Sequence, residues 1–395
     1  LSIDPGRARG ARGAVTVVFL ASGLTFGSWA SRIPAVRDRL GVSEGELGLA
    51  FGAMAAGSIV AMPLAGVAAA RVGSRRVARL AITASCALAA VLAAAPSLIA
   101  LTLLAIAYGA CFSACGVSMN THAIAVERRC GRPMLATFHA AFSLGVLAGS
   151  LLGALAAGLG VDARIHLAVV AGVMLVTCLL WSRRFLPAAV DRSDRVERLV
   201  MRPPRPLTAL GTLAFSSLLI QGAAADWSGI YLKDDLGAAA GVAALAFTAF
   251  SLAMTAGRLV GDRLVGRHGA LIVVRAGGAV AAVVFAAALA VGEPVAGIVG
   301  FGVLGAGMAS VVPIVMRASA SVPGVAAGMA VAAVSSTGYL GFLVGPPIIG
   351  GLAELVGLPT ALGVLSVLSA TIVVLASTSR IERWAVHPAT EAARA

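Results

Sequence analysis

Twelve apolar stretches follow one another along the chain, at residues 14–34, 45–70, 77–95, 97–126, 135–159, 165–182, 207–232, 241–265, 271–292, 295–316, 325–353 and 360–379. Roughly 20 apolar residues, rising 1.5 Å each in a helix, cross the hydrocarbon core of a bilayer. Each stretch therefore reads as a membrane-spanning helix, and the polar turns between them are mostly short. One polar interval is longer: from Arg183 to Pro206 it holds seven arginines, three acidic residues and four prolines. The pattern predicts an all-α membrane protein: a tail at 1–13, a six-helix bundle at 14–183, a linker at 184–206, a second six-helix bundle at 207–379 and a tail at 380–395. The first stretch carries no small-residue cleavage site and reads as a span, not as a removed signal.

The two bundles repeat each other. At a constant offset of 196 positions, Arg71, Gly73 and Arg79 match Arg267, Gly269 and Arg275, and Gly109-Ala110 matches Gly305-Ala306. Leu144-Gly145-x-Leu147-x-Gly149 matches Leu340-Gly341-x-Leu343-x-Gly345, and Trp29 recurs as Trp227 at an offset of 198. Two six-span repeats of the same orientation imply a pseudo-two-fold axis along the membrane normal and a central pathway between halves.

Composition agrees: 59% of the 395 residues are hydrophobic and 12% charged, against roughly a quarter charged in soluble proteins. A formal net charge of +13 would suggest nucleic acid as a partner. The placement of the basic residues removes that reading. An even number of spans puts both termini on one side, and 25 of the 30 basic residues fall there; with the acidic residues included, that side carries +17 and the other −4. Positive charge marks the cytoplasmic face, so both termini are expected inside. Cys86, Cys111, Cys115, Cys130 and Cys178 have neither metal-ligand spacing nor the density of a disulfide scaffold; they read as core residues, with Cys130 the exposed thiol.

The loop between spans 2 and 3, Gly66-Val-Ala-Ala-Ala-Arg-Val-Gly-Ser-Arg-Arg76, is similar to the signature G-x-x-x-D-R-x-G-R-R of the major facilitator superfamily. Its acidic position is Ala70 here and Gly266 in the second copy. The resemblance implies a gating role for Gly66, Arg71, Gly73, Arg75, Arg267 and Gly269; Asp262, about one turn upstream, is the candidate substitute for the acid that latches the halves. Trp29-Ala-Ser-Arg-Ile-Pro-Ala-Val-Arg-Asp38, Met119-Asn-Thr-His122, Val126-Glu-Arg128, His139-Ala-Ala-Phe-Ser-Leu-Gly145, Asp226-Trp227 and Thr337-Gly-Tyr-Leu-Gly-Phe-Leu-Val-Gly-Pro-Pro347 resemble the MosC-like branch. That branch holds rhizopine-permease-like proteins and is related to fucose permeases. An acid often found in its span 4 corresponds to Gly116.

Ionisable side chains at membrane depth are costly and tend to face a cavity or a partner. Asp226 is thus a candidate for proton coupling and solute binding, or else an outer-interface acid paired with Arg32 or Lys233. His139 and His122 are candidate proton relays, or members of an interhelical polar cluster. Ser143 shares the face of His139, whereas Asn120 and His122 point in different directions on their helix. The expected solute-binding set is Trp29, Asn120, His139, Ser143, Asp226, Trp227 and Tyr339. Arg258 could hold an anionic solute or pair with Asp262. Gly345, Pro346 and Pro347, in a run similar to an antiporter motif, read as a hinge.

The expected function is secondary transport by alternating access: proton symport of a sugar, polyol or inositol-like solute. Proton-coupled efflux of drugs or metabolites is the alternative, and a non-transporting solute sensor a second one. The chain carries no Walker loop, HExxH or nucleophile–base pair, so no enzyme activity, cofactor or metal is expected. The expected setting is the plasma (inner) membrane, as a monomer.

Overall fold

The computed structural model describes residues 5–130, 134–188, 205–323 and 327–378. Both tail ends and most of the expected linker lie outside the described residues, as does the side chain of Asp262. Among the described residues the secondary structure is helical throughout.

The first six spans are α1 (Pro5–Ala30), α3 (Glu44–Val72), α4 (Ser74–Leu92), α5 (Leu98–Cys130), α6 (Leu135–Gly158) and α7 (Ala163–Trp181), with a short helix α2 (Ile33–Leu40) after α1. The second six are α8 (Arg205–Ile230), α9 (Ala240–His268), α10 (Ala270–Val291), the pair α11 (Pro294–Met308) and α12 (Val311–Ala320), α13 (Ala327–Val356) and α14 (Leu358–Thr378). Eleven helical segments are long and apolar enough to cross a membrane. The twelfth span is α4, 19 residues long, whose opening turns carry Arg75, Arg76 and Arg79.

Two features depart from the sequence expectation. The tenth stretch is not one helix but α11 and α12, interrupted at Ala309-Ser310. Pro313 explains the break, since it has no N–H to offer the carbonyl of Ala309 and its ring crowds that carbonyl. The connection after α1 is also ordered. Pro34 opens α2, left-handed Gly41 (φ 64°) closes it, and Arg37 pairs with Glu44. Ser43 then caps α3, accepting from Glu46 N at 3.2 Å while Glu46 accepts from Ser43 N at 2.9 Å.

The chain divides into two compact units: residues 1–197 with 238–248, and 198–237 with 249–395. The repeat is visible inside each. In the first, Gly145 and Gly149 of α6 lie against the backbone of Leu20 and Leu24 of α1, and Gly109 of α5 against Met54 of α3. In the second, Gly341 and Gly345 of α13 lie against Phe215 and Leu219 of α8, and Gly305 of α11 against Phe250 of α9. A Cβ at Gly145, Gly149, Gly109, Gly341 or Gly305 would overlap a backbone carbonyl; at Gly345 it would press on the Leu219 carbonyl and side chain. Small residues let helices approach where lipid supplies no hydrophobic drive. The signature glycines Gly73 (φ 88°) and Gly269 (φ 84°) share a positive φ that lets α3 turn into α4 and α9 into α10.

The outer faces are apolar, as a lipid environment requires. Leu80, Ile99, Leu159 and Leu355 are 74%, 74%, 72% and 81% exposed. Cys86, Cys115 and Cys178 are buried as expected; Cys111 as well as Cys130 is partly exposed.

Candidate functional site

In the first unit, α5 and α6 together build a polar cluster. Asn120, the single asparagine of the chain, donates through Nδ2 to the carbonyl of Gly116 at 2.8 Å. Its Oδ1 is then an acceptor, 3.0 Å from His139 Nε2, so Nε2 carries the proton. Ser143, one turn along α6, donates to the carbonyl of His139 at 3.1 Å. Phe19 of α1 stands edge-on to the imidazole, with centroids 5.4 Å apart. His139 itself is exposed. A Cβ at Gly116 would meet nothing within 4 Å.

His122 is not part of that cluster. It is 1% exposed and both ring nitrogens are engaged, Nδ1 at 2.8 Å from Ser74 Oγ and Nε2 accepting from Leu186 N at 3.2 Å. Since the backbone N–H must donate, Nε2 is the bare nitrogen and Nδ1 donates to Ser74. The Phe185 ring lies 4.5 Å away. His122 thus ties the start of α4 to the segment leaving α7. Two groups of the signature loop join it there: Arg75 Nη2 donates to the Arg183 carbonyl at 3.1 Å, and Gly73 lies against Ala188, with no room for a Cβ. Gly66 has open surroundings, and Arg71 and Arg267 are exposed.

The second unit carries its own polar groups on α8 and α9. Gln221, the single glutamine of the chain, donates to Ser217 (3.2 Å to the carbonyl, 3.3 Å to Oγ) and accepts from Arg258 Nη2 at 3.4 Å. The expected Arg258–Asp262 pair falls on a side chain, that of Asp262, outside the described residues. Asp226, further along α8, is within the span yet has no hydrogen-bond or ion-pair partner among the described residues. Of the partners expected for it, Arg32 donates to the carbonyl of Val161, and Lys233 pairs with Asp234 at 3.4 Å.

The aromatic candidates divide. Trp29 and Trp227 are buried within the helix packing, at 2% and 0% exposure, and Trp227 Nε1 donates to the carbonyl of Pro346 at 3.0 Å. Tyr339 is exposed. Pro346 and Pro347 sit inside α13, which stays helical through both. Sequence reasoning passed over Gln221, although a lone amide in an otherwise apolar span was the available signal.

The Major Facilitator Superfamily profile matches residues 15–225 and 210–394, once for each half. The chain belongs to this superfamily. It is 33% identical to an uncharacterised MFS-type transporter of Yersinia pestis over 360 residues, covering 90% of this chain and 92% of that one. It is 34% identical to the membrane protein MosC of Rhizobium meliloti over 352 residues, covering 88% and 85%. Among solved structures, the nucleoside transporter NupG superposes with a TM-score of 0.69 at 13% identity, covering 93% of this chain and 98% of that one. A bacterial homologue of the human lysosomal transporter Spinster superposes with a TM-score of 0.70 at 14% identity, covering 95% and 97%. The superfamily member described here is therefore a multi-pass membrane transporter of small solutes and not an enzyme.

Proposed function

We propose that the chain is a proton-coupled importer of a small polyhydroxylated solute such as a sugar, polyol or inositol. It works by alternating access in the inner membrane, as a monomer with both termini cytoplasmic. The observation that carries this reading is Asp226, a carboxylate inside a span with no described partner. Such a group is costly unless it takes a proton or a ligand, which makes it the fit carrier for coupling. Asn120, His139 and Ser143 in one half and Gln221 in the other offer neutral donors and acceptors, the set that hydroxyl groups need. Tyr339 adds an exposed ring, and Trp227 ties α8 to α13 through the Pro346 carbonyl. Arg258 favours a second reading, proton-coupled export of an anionic metabolite.

Proteoliposomes holding an internal pH dye separate the two. A challenge with sugars, inositols, organic anions and cationic drugs is expected to give internal acidification with a polyol or sugar. A response confined to anions or drugs, with protons moving against the solute, would replace import by antiport.

A further inference from the structure

A second polar group lies at the α6–α7 turn of the first unit, apart from the His139 cluster. Arg32 follows α1 and is 4% exposed. Its Nη2 donates to the carbonyl of Val161 in that turn, while Nε and Nη1, both buried, meet no acceptor among the described residues. His166, in the first turn of α7, is 8% exposed, and neither of its ring nitrogens has a partner there. The two side chains belong to one locality: Gly153 of α6 has Ser31 and the His166 ring as its neighbours, and the guanidinium charge acts on the imidazole.

Asp162, in the same turn, acts on Arg32 through its charge but makes no hydrogen bond to it or to His166 among the described residues. Asp162 caps α7, with Oδ1 accepting from Arg164 N at 2.7 Å and Oδ2 from Arg164 Nη2 at 2.7 Å. That grip holds its carboxyl at about pKa 2, so it remains ionised and committed to Arg164. Arg32 and Arg164 against Asp162 leave one positive charge in excess. A buried guanidinium with unmet N–H groups costs several kcal/mol, so an acceptor of single negative charge is the natural complement. Gly153 packs directly on this corner, where a Cβ would strike Ser31 Oγ, which itself donates to the Ser28 carbonyl at 3.0 Å.

We propose that Arg32 and His166 form a binding site for one small monovalent anion, of halide size, at the α6–α7 end of the first unit. The anion accepts from an unmet N–H of Arg32 and from the imidazole N–H, fixing the end of α1 to the turn that it packs on.

The test uses the full-length protein purified in detergent, with bromide as the probe. Anomalous diffraction from bromide-soaked crystals is expected to place one peak in hydrogen-bonding distance of Arg32 and His166. Replacing gluconate by chloride at constant ionic strength is expected to raise the melting midpoint saturably, by about 2–4 °C near a hundredfold excess over Kd, and Arg32→Gln is expected to abolish that rise. Water alone at the site, or an equal chloride response in wild type and Arg32→Gln, would overturn the proposal. Should Arg32→Gln fail to fold, the bromide peak in the wild type decides: its presence supports the site and its absence overturns it.

Discussion

Asp226→Asn is expected to abolish solute-driven proton entry into proteoliposomes, with a loss on the order of a hundredfold, as when a positioned proton carrier is removed. The amide matches the carboxyl in shape but holds no titratable proton. Solute counterflow, which exchanges labelled for unlabelled solute without net proton movement, should therefore persist. This split in one variant distinguishes a coupling role from a packing role: a merely structural Asp226 would lose both activities together, or neither. The carboxylate has no described partner to orphan, so the substitution should not unfold the protein.

The second large effect concerns helix contact. Gly341→Val, and its counterpart Gly145→Val, are each expected to cost about 3 kcal/mol or more, because the added side chain meets the backbone of Phe215 or Leu20 and not a yielding side chain. Monodispersity on size exclusion and the melting midpoint in detergent report this. Gly116→Ala is the matched control. It adds a methyl where nothing lies within 4 Å, and a helical glycine replaced by alanine gains up to about 1 kcal/mol. Equal midpoints for Gly341→Val and wild type would contradict the packing described.

These two cases also mark what the sequence could disclose. The glycine register at offset 196 announced the six-plus-six repeat, and the structure shows why its glycines inside the helices recur: each sits where two helix backbones approach closely. Most span limits were legible, because a stretch that faces lipid has few polar residues to blur its ends; α1 differs, opening at Pro5 inside the expected tail. The break at Ala309-Ser310 has its own signal in Pro313, four residues downstream. Side-chain partners were not legible. Asn120 and His139 lie 19 positions apart, and which face of α5 meets α6 depends on packing that no periodicity states. His122 looked as chemically able as His139, yet its two nitrogens are taken up by Ser74 and Leu186. Arg32 and His166 do not stand out as a pair, since each alone resembles an ordinary interfacial residue. What sets them apart is that Nε and Nη1 of Arg32 and both ring nitrogens of His166 are buried without a partner among the described residues.

Coupling of solute movement to protons is the central claim. Its most direct measurement is uptake of a labelled solute, chosen from the sugars and inositols that acidify the lumen, into proteoliposomes with an imposed pH gradient, alkaline inside. Accumulation above the external concentration, collapsing on addition of a protonophore, is the predicted result. Uptake that only equilibrates and ignores the gradient, or binding without entry, would contradict it.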